Sequence, residues 1–231
     1  MALAVLRVWL DDRPGSLASV AGRIGSSGGD VVGIDVLERG AGRVIDEFVV
    51  ELADVSALEP VVSSVDSLEG VDVELAEIVP AFPDPRLDAL EFAAALVSAS
   101  AADLLDTLAD ESRRRFGCTW AAVVDAARSS QVAASGPAPH ASWLAAFVTG
   151  VSSGRGEGPV DVAWAALAGT GFVLVLGRDN TRFRERERRQ IAALAGIAAV
   201  RFVQSSTLAR RAGEQAGNPR THPSWGDRRV P

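Results

Sequence analysis

Three prolines fall within six residues at Pro80-Ala-Phe-Pro-Asp-Pro85. Proline locks φ and carries no N–H, so neither a helix interior nor a central strand runs through such a stretch. The chain of 231 residues is thereby divided into a first unit ending near Pro80 and a second running from about Leu87 to Val203. From Ser205 on, the chain turns to Arg, Gly, Pro, Ser and Gln with few apolar residues, a composition that does not repay the entropy of ordering. The expected organisation is a first domain over 1–79, a linker over 80–87, a second domain over 88–204 and a disordered tail over 205–231.

The basic residues narrow the chemistry. All 23 are arginine; there is no Lys and no Tyr. That excludes a phosphate-loop lysine, a Schiff-base lysine and a kinase-type lysine. One Cys and two His cannot build a structural zinc site, and a single Cys forms no internal disulfide. No metal and no cofactor is expected. The net charge of −7 is uneven: residues 1–80 hold 15 acids and 5 Arg, whereas residues 179–231 hold 5 acids and 11 Arg. An acidic first third is poor for nucleic acid. The basic end reads as a solvated helix start plus a loose tail, with contact to an anion as the alternative. The opening Met1 to Leu10 is apolar but interrupted by Arg7 and lacks a basic lead and a small-residue cleavage site. No uninterrupted apolar run approaches the ~20 residues of a membrane helix. A cytoplasmic protein with no membrane partner is expected.

The first unit reads strand, helix, strand, strand, helix, strand. Ala4 to Leu10 is β-rich, and Asp11-Asp-Arg-Pro-Gly15 is a turn. Leu17, Val20, Ala21 and Ile24 follow helical spacing until Gly25-Ser-Ser-Gly-Gly29 stops it. Val31 to Leu37 and Arg43 to Leu52 are strands joined by a hairpin at Arg39-Gly-Ala-Gly42. Ser56, with Glu59 three residues on, is placed to cap the second helix, whose buried stripe is Leu58, Val61, Val62 and Val65. Gly70 ends it, and Val71 to Ile78 is the last strand. This βαββαβ order predicts a ferredoxin-like α+β sandwich.

Asp11-Asp-Arg-Pro-Gly-Ser-Leu17 is the most informative stretch. Pro14 stiffens the entry, and Gly15 has no Cβ to keep a ligand from the backbone. The helix that follows offers free N–H groups suited to a carboxylate, and Asp12 could receive an ammonium group. The two readings are a cradle for a zwitterionic amino acid and a plain strand-to-helix turn.

A strand followed by D-R-P-G-S-L, an amphipathic helix, a Gly-rich break and D-V-V-G-I-D-V resembles an ACT domain over about residues 3–79. The resemblance implies a regulatory module, often one that binds an amino acid at a domain interface. It places Asp12, Arg13, Pro14, Gly15, Ser16 and Leu17 along the site, faced by Asp30, Val31 and Val32 from the second strand. Asp12 stands where many ligand-binding members have Asn, which keeps the acceptor and loses the amide donor.

The second unit begins with a long helical stretch marked by Leu104, Leu105, Leu108 and Phe116, with Asp103 near its start and Arg113-Arg114-Arg115 near its end. Strands are predicted at Thr119 to Val124, Gln131 to Ala134, Asp161 to Leu167 and Gly171 to Leu176, with a short helix at Ala141 to Val148. A last amphipathic helix follows Asp179-Asn180-Thr181, charged over Arg182 to Arg189 and apolar at Ile191, Leu194, Ala198 and Phe202. The strand Cys118 to Val124, and the ending Val173-Leu-Val-Leu-Gly-Arg178 leading into Thr181-Arg-Phe-Arg-Glu-Arg-Glu187, are similar to a GAF domain. That likeness implies an α/β sandwich with an exposed Phe183, used for sensing or for dimerisation.

Other motifs have bland readings beside the sharp ones. Gly150-Val-Ser-Ser-Gly154 fits G-x-S-x-G, but a helix precedes it and Arg155-Gly-Glu-Gly-Pro159 follows, and a triad would need His222 in the tail. Gly40-Ala-Gly42 joins two strands and reads as a hairpin, not a dinucleotide loop. Cys118 reads as a packed thiol, His140 as an exposed loop residue, and Trp120, Trp143 and Trp164 as core rather than a ligand cage. Asp46 and Glu47 are adjacent on a strand and point to opposite faces, so they need not cooperate.

The function expected is a cytoplasmic regulatory protein, not an enzyme, with no catalytic residues. Its ligand is a small molecule, an amino acid, bound where ACT units of a homodimer meet. Output passes through the GAF-like half or a partner enzyme or regulator. The alternatives are a ligand-free dimerisation scaffold and an enzyme working in the GAF-like cavity.

Overall fold

Ala4, Leu6, Val8 and Leu10 alternate along the first strand and are all buried, which is the pattern of a strand with one face on a core. The computed structural model describes residues 1–152, 158–179 and 181–216. It contains two four-stranded antiparallel sheets, each with helices, in a mixed α+β architecture.

The first unit comprises β1 (Ala2–Asp11), α1 (Ser16–Ser26), β2 (Asp30–Gly40), β3 (Arg43–Leu52), α2 (Leu58–Asp66) and β4 (Asp72–Val79). The strand order is β2-β3-β1-β4, so β1 pairs on both sides and β2 and β4 form the edges. The even-numbered β1 residues pack with Phe48, Val50 and Leu52 of β3 against Val20 and Ile24 of α1 and Val61 and Val65 of α2. Each fully buried aliphatic side chain there contributes roughly 1.5–3 kcal/mol. The odd-numbered side chains, Arg7 and Trp9 among them, emerge on the opposite face.

The second unit comprises α3 (Pro85–Ser98), α4 (Leu104–Arg115), β5 (Trp120–Asp125), β6 (Ser130–Ser135), α5 (Ala141–Ser152), β7 (Val162–Leu167), β8 (Phe172–Gly177) and α6 (Glu185–Ala216). Its strand order is β6-β5-β8-β7. Ala121 and Val123 of β5 face a core shared with Phe92, Leu104, Leu108, Ile191 and Leu194 of α3, α4 and α6. Ala122 and Val124 face the other way, onto Leu144 and Val148 of α5. By length and composition alone, the stretch Glu185–Leu208 of α6 could cross a membrane; its Ile191, Leu194, Ala195, Ala198 and Ala199 lie in the core.

Several local expectations are corrected. The α2 approach is capped by Asp54, not Ser56: the Asp54 carboxylate accepts from Ser56 N–H at 2.8 Å and starts a short turn, Val55–Ala57, ahead of the helix. A charged acceptor is the stronger cap. The expected long helix is two helices, and the first begins within the proline segment itself. Asp84 accepts from the N–H groups of Arg86 and Leu87 at 3.1 and 3.0 Å, and Pro85 takes the first helical position. Proline fits there because that N–H has no helical partner anyway. Finally, α6 does not stop at Val203 but runs to Ala216, carried by Ala, Leu, Arg, Gln and Glu, which are good helix formers. Residues 217–231 of the expected tail lie outside the described residues.

Candidate functional site

The strand-to-helix turn is built around Gly15, whose φ of +94° is left-handed and strained for any residue with a Cβ. Gly15 caps α1 with no side chain closing the cap. Ser16 N–H donates to the Arg13 carbonyl at 3.3 Å and Ser19 N–H to the Gly15 carbonyl at 2.9 Å. The N–H groups of Leu17 and Ala18 keep no backbone or side-chain partner among the described residues. These open donors sit at the positive end of the helix dipole. An open groove of about 440 Å³ lies beside them, bounded by Asp11, Arg13, Pro14, Gly15 and Ser16 on one side and by the Leu68–Val71 turn on the other. Its carboxylates are Glu69 of that turn and Asp11, which sits 3.6 Å from the Arg13 guanidinium. Asp12 is exposed outside that lining, and its N–H donates to the Gly42 carbonyl at 2.9 Å.

Asp30, Val31 and Val32 open β2 at the other end of the sheet. Asp30 pairs with Glu51, near the start of β1, whereas Asp11 pairs with Arg43 at its end. Eight residue steps of β1, from Leu3 to Asp11, at ~3.3 Å each separate the two positions by about 26 Å. One chain therefore does not bring the loop and the β2 start together. As an edge strand β2 also leaves Val32, Ile34 and Val36 each about two-fifths exposed.

A second constellation covers the open face of the first sheet. Arg184, just before α6, is 2% exposed; its guanidinium bonds Glu74 of β4 and reaches Glu38 of β2 at 3.5 Å. It also lies 5.2 Å over the Trp9 ring. Arg186 bonds Asp35 of β2, and within the sheet Arg7 donates to Glu47 at 2.7 Å. Burial opposes the charge on Arg7, but its bond to Glu47 and the nearby carboxylates hold its pKa above the ordinary value. Behind these, Arg178 forks onto both oxygens of Glu187 at 2.7 Å each and covers the Phe183 ring at 4.1 Å. Phe183 is thus buried rather than exposed, because the guanidinium needs a flat apolar lid as well as its carboxylate. The Arg182 to Arg189 segment is correspondingly not a wholly solvated helix start. The complementary net charges of the first 80 residues and of the chain from 179 onward were the available signal.

The remaining candidates stay apart from both constellations. Cys118 is buried, and loss of solvent pushes its thiol up to about 12. His140 bonds Ser142 at 2.9 Å on the surface. Trp120, Trp143, Phe147 and Trp164 form an aromatic row on the α5 side of the second sheet, with Trp143 and Phe147 stacked at 5.3 Å. Gly150 lies within α5, and Gly154 and His222 lie outside the described residues. Asp46 is 1% exposed with Oδ1 unpaired, and burial raises its pKa, whereas Glu47 serves Arg7 on the opposite face.

No family model and no curated protein matches the chain. Similar solved structures include ACT and GAF domains. The ACT domain of a GTP pyrophosphokinase from Chlorobium tepidum is 16% identical, covering 36% of this chain and 90% of that one, with a TM-score of 0.29. The GAF domain of an Acinetobacter phosphoenolpyruvate-protein phosphotransferase is 14% identical, covering 55% and 98%, with a TM-score of 0.41. A bacteriophytochrome from R. palustris is 11% identical, covering 79% and 45%, with a TM-score of 0.43.

Proposed function

We propose that the chain is a cytoplasmic, non-enzymatic regulatory module that binds an amino acid at the loop groove of an ACT-like first unit, paired in a homodimer. The observation that carries the reading is the open, uncapped start of α1 beside Gly15 and Asp11, which offers N–H donors to a carboxylate and a carboxylate to an ammonium group. The distance between the loop and the β2 start favours a two-copy site, in which the loop of one copy meets Asp30, Val31 and Val32 of another. Ligand bridging two copies would favour one packing of them, and that shift is the signal passed to the second unit or to a partner enzyme or regulator.

Isothermal titration calorimetry with the twenty amino acids tests it. Saturable binding is expected in the wild type. Gly15→Val should abolish binding at the groove, since a β-branched residue at positive φ distorts the turn. Asp11→Ala should weaken it by about 1.5–3 kcal/mol, the range for a hydrogen bond to a charged group. Asp12→Ala should weaken it less. A wild type that binds no amino acid at millimolar concentration would leave the dimerisation scaffold as the reading.

A further inference from the structure

We propose that the cavity between the two units is a second ligand site, built for a small zwitterion with an apolar side chain, that is, an apolar α-amino acid. The cavity holds about 210 Å³ and opens where the face of the first sheet meets α3 and the start of α6. That is below the ~300–1,000 Å³ of pockets for drug-sized ligands, which excludes a nucleotide and suits a small metabolite.

The charges decide the chemistry. The lining carries four arginines and four carboxylates, so its formal charge does not select a net anion or a net cation. It does leave unspent groups of both signs. Arg7 uses only Nε, on one oxygen of Glu47, so both of its terminal NH₂ groups and the other Glu47 oxygen have no partner among the described residues. Arg186 likewise spends only Nη1 on a single Asp35 oxygen. Arg184, 2% exposed, also lines the cavity, with its terminal nitrogens spent on Glu38 and Glu74. Open donors and acceptors gathered in one half-buried cavity can be satisfied together by a single occupant. A guanidinium fork next to free carboxylate oxygens matches a bound carboxylate beside an ammonium group. The far wall is apolar: Phe92 and Leu194 are buried and Phe116 partly so. An aliphatic or aromatic side chain would displace water there.

This site differs from the loop groove in needing only one copy of the chain, and it fails or stands independently of that groove. A ligand there touches β1 to β3 on one side and α6 on the other, so it would fix the two units against each other.

The test is calorimetric titration of the full chain with L-valine, L-leucine, L-isoleucine, L-methionine and L-phenylalanine, using the tightest binder thereafter. Its N-acetyl derivative lacks the ammonium group and the corresponding amine lacks the carboxylate; each should bind at least tenfold more weakly. Arg7→Gln should cost at least tenfold, and Ala89→Phe, which fills the cavity without touching an ion pair, should abolish binding. Gly15→Val, at the loop groove, should leave it unchanged. Thermal unfolding of each variant checks that it folds. No saturable binding of any probe overturns the proposal, as does equal binding of the N-acetyl derivative. A loss in Gly15→Val as large as that in Arg7→Gln also overturns it and returns the ligand to the loop groove.

Discussion

Arg184 and Glu74 are 110 residues apart in sequence, yet their side chains bond across the seam between the two units. Glu38 from the edge strand takes the same guanidinium from its other side, and Trp9 lies under it. The arginine is almost wholly enclosed, so its charge is compensated only while the two units stay docked.

Arg184→Ala is therefore expected to uncouple the units. Breaking an ion pair this enclosed costs about 3 kcal/mol, the low end for buried pairs because both acids keep some solvent. Differential scanning calorimetry should show one transition in the wild type and two in the variant. A single unshifted transition would refute the coupling.

Arg178→Lys should cost about 3 kcal/mol in denaturant unfolding. Lysine keeps the charge but cannot fork onto both Glu187 oxygens, reach the Phe116 carbonyl and cover Phe183 together. Loss of less than about 1 kcal/mol would mean that charge alone suffices there.

Asp46→Asn should stabilise the fold at neutral pH. Burial raises the Asp46 pKa in the folded state, so the ionised form opposes folding. The sign follows: in the wild type this destabilisation is full above the raised folded value and fades as pH falls through it towards the unfolded carboxylate value of about 3.9. Urea titrations from pH 8 to pH 4 should show the advantage of the variant shrinking with acid. A constant difference would exclude titration of Asp46 as its source.

Cys118 should resist a disulfide reagent such as DTNB at pH 8 in the native protein and react at once in guanidinium. With the thiol pushed up to about 12, the native thiolate fraction is lower than that of a free cysteine by a factor on the order of a thousand. Native reaction at a rate comparable to the unfolded chain would show that the second core opens readily.

Ile34→Lys should convert a dimer to a monomer by sedimentation velocity. The unpaired β2 edge with Val32, Ile34 and Val36 exposed is a surface for strand pairing, and an edge lysine blocks it. A wild type that is monomeric at 100 μM would remove this edge as the interface.

The strands were legible because β1 and Arg43 to Leu52 are β-rich runs bounded by turn residues, and β3 is buried on both faces from Val44 to Val50. The hairpin at Gly40-Ala-Gly42 was equally plain, with Ala41 and Gly42 both at positive φ. Caps and helix ends were less so. Asp54 and Ser56 are both of the residue types that cap helices, and which of them does so depends on the turn between them. The loop residues Arg13 to Ser16 do line a groove, but Asp11 takes the place expected of Asp12, a one-residue difference that no local pattern encodes. The seam between the units shows in the sequence only as opposite net charges: Arg184, Glu38 and Glu74 each look like solvated charges until the fold brings them together.

Helix α6 has 32 residues, about 48 Å at 1.5 Å per residue. Its first turn carries Arg186 on the first sheet, Ile191 to Ala199 lie in the second core, and Val203 and Leu208 beyond them are exposed. Such a rod acts as a lever pivoting in the second unit. With the pivot near Leu194, a tilt of about 5° imposed at the Arg186 end would swing the Ala216 end by about 3 Å. Small changes in how the first unit sits would thus be read out, magnified, at the far end of the molecule.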